Sequence, residues 1–170
     1  WDEEQFSPVN AVTSDSPSAA FAFVYSWENP DVSDKQLLYV VRRASGEKII
    51  VGRSVRGIEA HWVTTQLGDI LVIKNLIDTH FDESFVIYPH INDKNEMVIS
   101  VLYATPDQYF FDKSYDGIPP EHITTSIENI SHDGIMTIYI GWDFLIRGVE
   151  GGDITTQIPL FYGTSTGTER

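Results

Sequence analysis

Hydrophobic and polar residues alternate in short blocks from residue 20 onward, and each block ends in residues that favour turns. The first block places Phe21, Phe23, Tyr25 and Trp27 on one side of an extended chain, a period of two that is typical of a β-strand. Pro30 then ends the block, because proline has no amide hydrogen to donate. Aromatic side chains at alternate positions suit the interior of a sandwich, so we expect this ladder to lie in the core.

Three pairs of blocks are separated by short loops rich in glycine, asparagine and aspartate, and each pair predicts a β-hairpin. The paired blocks are 36–43 with 48–55, 85–91 with 96–104, and 123–130 with 135–141. In the loop of the third pair, Asp133-Gly134 is a strong turn signal, because glycine tolerates the positive φ that such turns require. A further block at 154–162 adds a last strand to the series.

The stretch from residue 69 to 81 fits two secondary structures. Ile70, Ile73, Ile77 and Phe81 have the spacing of one helix face, and Asp69 would cap that helix. The chain between Ile70 and Ile73 is, however, short, apolar and rich in β-branched side chains, which favours a buried strand. We therefore predict a strand here and keep the helix as the alternative.

The series of about eight to ten short strands predicts an all-β fold, an antiparallel β-sandwich or jelly-roll-like domain. A length of 170 residues suits one domain. We expect that domain to span 20–162. It would follow an irregular N-terminal arm at 1–19 and precede a flexible, polar C-terminal tail at 163–170.

Composition and charge exclude several classes of protein. The formal net charge is −14 and the sequence pI is about 4.5, which argues against general nucleic-acid binding through a basic surface. The chain has no cysteine, so disulfides, thiol catalysis and cysteine-ligated metal centres are ruled out. Apolar runs stay shorter than the roughly 18–20 residues of a membrane-spanning helix, so we predict no transmembrane segment.

Positive charge is concentrated in one segment of this acidic chain, 35–56, which we call the basic ribbon. Its cations are Lys35, Arg42, Arg43, Lys48, Arg53 and Arg56, against the single acid Glu47. One interpretation is a contact surface for an anionic partner, or for the acidic flank of a second copy in a homo-oligomer. The other is that these cations pair with carboxylates of their own domain or protect exposed strand edges.

A second candidate contact region is the loop at 107–121, which mixes aromatic and acidic residues. Its candidate binding residues are Tyr109, Phe110, Phe111, Asp112, Tyr115 and Asp116. Three consecutive aromatic side chains in an extended loop cannot all point inward, so we expect at least one to be exposed. Binding residues concentrate on loops of this kind, which makes it the first choice for a partner contact.

Catalytic and metal-binding patterns are weak in this sequence. The string G-x-S-x-G at 163–167 matches the nucleophile motif of serine hydrolases, yet the Asp and His that should follow it are missing from 168–170. Glu59, His61 and Gln66, followed by Gly68-Asp69 and later by His80, resemble the motif spacing of cupins, which are metal-binding jelly rolls. The resemblance implies a metal held by His61 and His80, but the paired histidines of the motif are absent. We therefore predict no metal and no other cofactor.

Together these observations predict a non-catalytic recognition or assembly module that contacts a protein or a glycan. A surface-exposed, secreted, periplasmic or virion structural protein would suit it, because sandwiches host many such roles. Three alternatives stay open. They are a carbohydrate-binding module, a metal-dependent cupin-like enzyme centred on His61 and His80, and an acidic inhibitor or immunity-type protein that blocks a basic partner.

Overall fold

The computed structural model describes residues 12–27, 36–54, 57–76, 82–104, 116 and 122–161. These residues form strands and connecting turns, and they contain no helix. The strands are β1 (Val12–Asp15), β2 (Phe21–Trp27), β3 (Gln36–Arg42), β4 (Lys48–Ser54), β5 (Gly57–Thr64), β6 (Asp69–Leu76), β7 (Asp82–Ile91), β8 (Met97–Ala104), β9 (His122–Ile130), β10 (Ile135–Asp143) and β11 (Gly152–Pro159). A helix long and apolar enough to cross a membrane is therefore not found in the described part of the chain.

The described strands make three antiparallel sheets in which every hydrogen-bonded neighbour is also the neighbour in sequence. The first sheet has the order β1-β2-β3-β4, the middle sheet β5-β6-β7-β8, and the third sheet β11-β10-β9. The predicted all-β, sandwich-like fold is confirmed, and its strands are connected as three simple meanders. Meanders of this kind rely on tight turns, which the sequence supplies at the predicted hairpins.

Two hydrophobic cores lie between the three sheets, one on each side of the middle sheet. In the first core, residues from β2 and β3 pack against β6, β7 and β8; its members are Phe21, Phe23, Leu38, Val40, Leu71, Ile73, Ile87 and Met97. In the second core, the other face of the middle sheet packs against the third sheet; its members are Ile70, Val72, Val86, Ile130, Met136, Ile138, Ile140 and Leu160. The aromatic ladder thus contributes Phe21 and Phe23 to the first core, as predicted.

The centre of the middle sheet is buried on both faces, and this explains the continuous apolar run in β6. Ile70 and Val72 face the third sheet, whereas Leu71 and Ile73 face the first sheet. A strand covered on both sides needs apolar side chains at every position rather than at alternate ones. The strand predicted between residues 70 and 73 is confirmed, and Asp69–Leu76 does not form the alternative helix, while residues 77–81 lie outside the described part of the chain.

Two strands were not anticipated from the sequence. Val12–Asp15 forms β1 inside the segment 1–19 that was expected to be irregular, while residues 1–11 lie outside the described part of the chain, as does the predicted tail at 163–170. Gly57–Thr64 forms β5, with Ile58, Ala60 and Trp62 packed on the first core. β1 has only four residues, too few for a clear alternation. In β5 the alternate residues Glu59 and His61 also fit the motif spacing of cupins, so the strand signal is ambiguous there.

Candidate functional site

Most of the predicted contact loop lies outside the described residues. Tyr109, Phe110, Phe111, Asp112 and Tyr115 fall there, as do Arg56 of the basic ribbon and His80 of the metal alternative. Asp116 is described, is exposed and has a positive φ of 48°. Arg53 lies on β4 opposite Leu37 of β3. The proposal that the loop 107–121 contacts a partner therefore stays a prediction.

The tip of the basic ribbon is attached to the hairpin between β7 and β8. Arg42 donates from Nη1 to the backbone oxygen of Asn95 at 2.9 Å and from Nη2 to Asn95 Oδ1 at 2.7 Å. Glu47 lies 3.9 Å from the same guanidinium and accepts a hydrogen bond from the amide of Met97 at 3.3 Å. Arg42 and Glu47 thus connect the first sheet to the middle sheet at one end of the sandwich.

Arg43 is paired within the first sheet. Its Nε donates to Asp15 Oδ1 at 2.7 Å, and its Nη2 contacts the same oxygen. The contact links the turn after β3 to the end of β1. Arg42 and Arg43 are thus paired within their own domain, as the second interpretation of the basic ribbon expects for these two residues, and a partner contact through the ribbon stays a prediction.

His61, the first residue of the metal alternative, lies exposed on β5 opposite Val72. Glu59, two positions earlier on the same face of the strand, lies opposite Lys74. Across the described ranges, no group of three or more His, Asp or Glu side chains is placed to hold a metal ion. Within those ranges the cupin-like spacing around His61 therefore does not assemble a ligand set.

The outer face of the third sheet is polar and open to solvent. In β11 the burial alternates strictly: Asp153, Thr155, Gln157 and Pro159 are exposed, while the residues between them are half-buried. Its inward positions include residues packed on the second core. This sheet therefore covers the middle sheet with one face and presents the other face to solvent, as antiparallel sheets commonly do.

A cleft of about 250 Å³ lies on this sheet; we call it the third-sheet cleft. Its lining residues are His122, Thr124, Tyr139, Gly141, Trp142, Asp143 and Gly152. The register of β9 and β10 places His122 opposite Asp143 and Thr124 opposite Gly141. An imidazole, a carboxylate, a hydroxyl and a phenol ring are thus brought together by a rigid hydrogen-bonded ladder.

The position of the Tyr139 ring depends on Gly141. A Cβ atom at residue 141 would lie 2.9 Å from the Tyr139 hydroxyl and 3.3 Å from the ring carbon Cε1. The tyrosine therefore leans along β10 over the glycine, with its ring half-buried. Glycine inside a strand often marks such a close approach, so Gly141 is a sequence signal for this site that hydrophobic alternation does not reveal.

Asp143 is oriented by its own backbone. Its Oδ1 accepts a hydrogen bond from the amide of Phe144 at 2.8 Å. Phe144 is buried, with 8% of its surface exposed, whereas Asp143 is exposed. The buried neighbour thus holds the Asp143 carboxylate at the rim of the third-sheet cleft, which reduces the side-chain entropy that Asp143 would lose on binding a ligand.

A second cleft, of about 350 Å³, lies where the turns after β1 and β5 meet β7. Tyr88 and His90 stack there, with ring centroids 4.8 Å apart and planes at 11°. Gly68 has a φ of 139°, and a Cβ at that position would lie 3.1 Å from Tyr88 Cε2. The Tyr88 ring thus takes up the space that Gly68 leaves.

The carboxylate of this second cleft, Asp69, is engaged by the protein itself. Oδ2 accepts a hydrogen bond from the Ser18 amide at 2.8 Å, and Oδ1 accepts one from the Thr64 hydroxyl at 3.0 Å. Burial would raise the pKa of Asp69, but hydrogen bonds from Ser18, Thr64 and Ser16 outweigh it and hold the pKa below its ordinary value. Asp69 therefore acts as a structural clamp between the first and middle sheets.

The third-sheet cleft is the better candidate, because its polar groups lie on a solvent-facing sheet and surround a half-buried aromatic ring. Comparison with protein-family models, with curated proteins and with solved structures found no match to this chain. What the third-sheet cleft can bind therefore follows from its own side chains.

Proposed function

We propose that this protein is a non-catalytic recognition module that binds a glycan through the third-sheet cleft. The observation that carries the proposal is the grouping of Tyr139, Asp143, Thr124 and His122 on one exposed sheet face. A pyranose ring offers an apolar C–H surface and a rim of hydroxyl groups. The aromatic ring of Tyr139 suits the apolar C–H surface, and carboxylate, hydroxyl and imidazole groups can form hydrogen bonds with the sugar hydroxyl groups.

The rigidity of the cleft supports recognition by a preformed surface. Its residues lie on β9 and β10, whose ladder pairs Met136 to Asp143 with Ile130 to His122. Groups fixed by a ladder lose little conformational entropy when a ligand binds. A short, open groove of this kind suits part of a longer chain, such as one or two sugar residues, more than an enclosed small molecule.

A glycan partner also fits the setting that the sequence suggested, a surface-exposed, secreted or virion protein. The formal net charge of −14 disfavours acidic polymers, since like charges repel at close range. We therefore expect neutral or amine-bearing glycans to bind more tightly than sulfated ones. An amine would interact favourably with Asp143, and the hydroxyl groups of a neutral sugar would donate hydrogen bonds to the same carboxylate.

The test begins with a glycan array probed with the labelled 170-residue protein, followed by titration of the strongest hit. We expect Tyr139→Ala and Asp143→Asn each to weaken binding about tenfold or more, the scale of losing one aromatic contact or one charged hydrogen bond. The matched control is Tyr39→Ala, a half-buried tyrosine on the first sheet, which should bind as the parent protein does. An array without hits, or equal losses for Tyr139→Ala and Tyr39→Ala, would contradict the proposal.

A further inference from the structure

Among the described side chains, the hydroxyl of Ser14 is the buried polar group without a hydrogen-bond partner. Leaving a buried hydroxyl unpaired costs about 1–3 kcal/mol. Native proteins pair the great majority of such groups, so an unpaired one is a sign that a partner is missing. The Ser14 hydroxyl therefore marks a place where a ligand group would be stabilised.

Ser14 lines a cleft at the seam between two sheets, which we call the seam cleft. Its volume is about 300 Å³, and its lining residues are Ser14, Phe23, Tyr25, Ile58, Glu59 and Ala60. β1 is an edge strand of the first sheet and β5 is an edge strand of the middle sheet. Trp62 Nε1 donates to the backbone oxygen of Ser14 at 3.1 Å, which ties the two edge strands together beside the cleft.

The seam cleft combines aromatic and aliphatic side chains with polar residues that include Ser14 and Glu59. Phe23 is 2% exposed, and its ring centroid lies 6.2 Å from that of Tyr25 at an angle of 43°. Ile58 and Ala60 line the cleft from β5 and pack against the first core. Apolar side chains with a few convergent polar groups are the usual composition of a small-molecule site, and the cleft volume of about 300 Å³ is at the lower end of the range for such sites.

We propose that the seam cleft binds a small, mostly apolar molecule with one hydrogen-bonding group, of the phenol or indole class, and that this group pairs with Ser14 Oγ. The aromatic or aliphatic body would fill the space between Phe23 and Ile58. The hydroxyl or N–H of the ligand would replace the missing partner of Ser14. This site is separate from the third-sheet cleft and does not depend on glycan binding.

Two matched probes, phenol and toluene, test the proposal, because they differ mainly in the hydroxyl group. Titration of each into the ¹⁵N-labelled protein should shift the backbone amide resonances of Phe23, Ile58 and Ala60. Phenol should bind the parent protein about tenfold more tightly than toluene. If neither probe shifts these resonances, the seam cleft holds water only and the proposal is wrong.

Ser14→Ala separates the hydrogen bond to the ligand from the apolar contact with its ring. It removes an unpaired hydroxyl, so the free protein should keep or slightly gain thermal stability, while phenol affinity should fall about tenfold and toluene affinity should not change. Ala60→Leu, from the opposite wall, should fill the cleft and weaken both probes. Equal phenol affinity in the parent protein and in Ser14→Ala would overturn the assigned role of the hydroxyl. Glycan binding should be unchanged in both variants.

Discussion

Replacing Gly134 with alanine tests how the hairpin between β9 and β10 packs against the residues that follow β11. Gly134 has a φ of 87°, and a Cβ there would lie 2.5 Å from two ring carbons of Phe161. The amide of Leu160 donates to the Gly134 oxygen at 2.9 Å, which holds the neighbouring Phe161 beside the turn. The Phe161 ring must therefore shift from its place beside the turn to make room for a methyl group at residue 134.

The expected loss of stability has two parts. A non-glycine residue in the left-handed region costs roughly 1–2 kcal/mol. Displacing the half-buried Phe161 ring forfeits part of the roughly 1.5–3 kcal/mol that a fully buried aromatic side chain contributes, so we expect about 1–2 kcal/mol more. Gly134→Ala should therefore lower the free energy of unfolding by about 2–4 kcal/mol.

Gly46→Ala is the matched control, because it isolates the backbone part. Gly46 also lies in a hairpin turn with a positive φ, 73°, but nothing lies within 4 Å of its Cβ position. We expect it to cost only the roughly 1–2 kcal/mol of backbone strain. Urea denaturation followed by circular dichroism would give both values. In a Phe161→Ala background, Gly134→Ala should cost no more than Gly46→Ala does. Equal costs for the two glycine variants in the parent protein would refute the steric argument.

Two further predictions concern charged groups. Asp69 has a lowered pKa, so its ionised form stabilises the fold above the unfolded pKa of 3.8, and this contribution disappears as the pH falls through the lower folded value. Asp69→Asn should cost about 1 kcal/mol in urea denaturation at neutral pH and nothing in strong acid, and a pH-independent cost would contradict this. Arg42→Glu with Arg43→Glu should lower the melting temperature through repulsion from Glu47 and Asp15. An unchanged melting temperature with altered sedimentation would instead indicate a self-association surface.

Local chemistry allowed much of the fold to be predicted from the sequence. Alternation identified β2, the three hairpins and the final strand, and turn residues located the loops, because both signals depend only on neighbouring residues. The same local signals failed for β1 and β5. β1 is four residues long, and its strand pairing is stabilised by contacts such as Arg43 with Asp15 and Trp62 with Ser14, which are distant in sequence.

The sequence by itself therefore determined that this chain is an antiparallel all-β protein whose hairpins lie at turn-forming residues. The tertiary structure decided which charges are paired, that the centre of the middle sheet is buried on both faces, and which side chains share a cleft. Tyr139 shares one face of β10 with Gly141 and Asp143, but the presence of Thr124 and His122 in the same cleft depends on the register of β9 against β10. Strand periodicity is a local property, whereas register and sheet stacking depend on contacts between distant residues, and the binding surfaces follow from the latter.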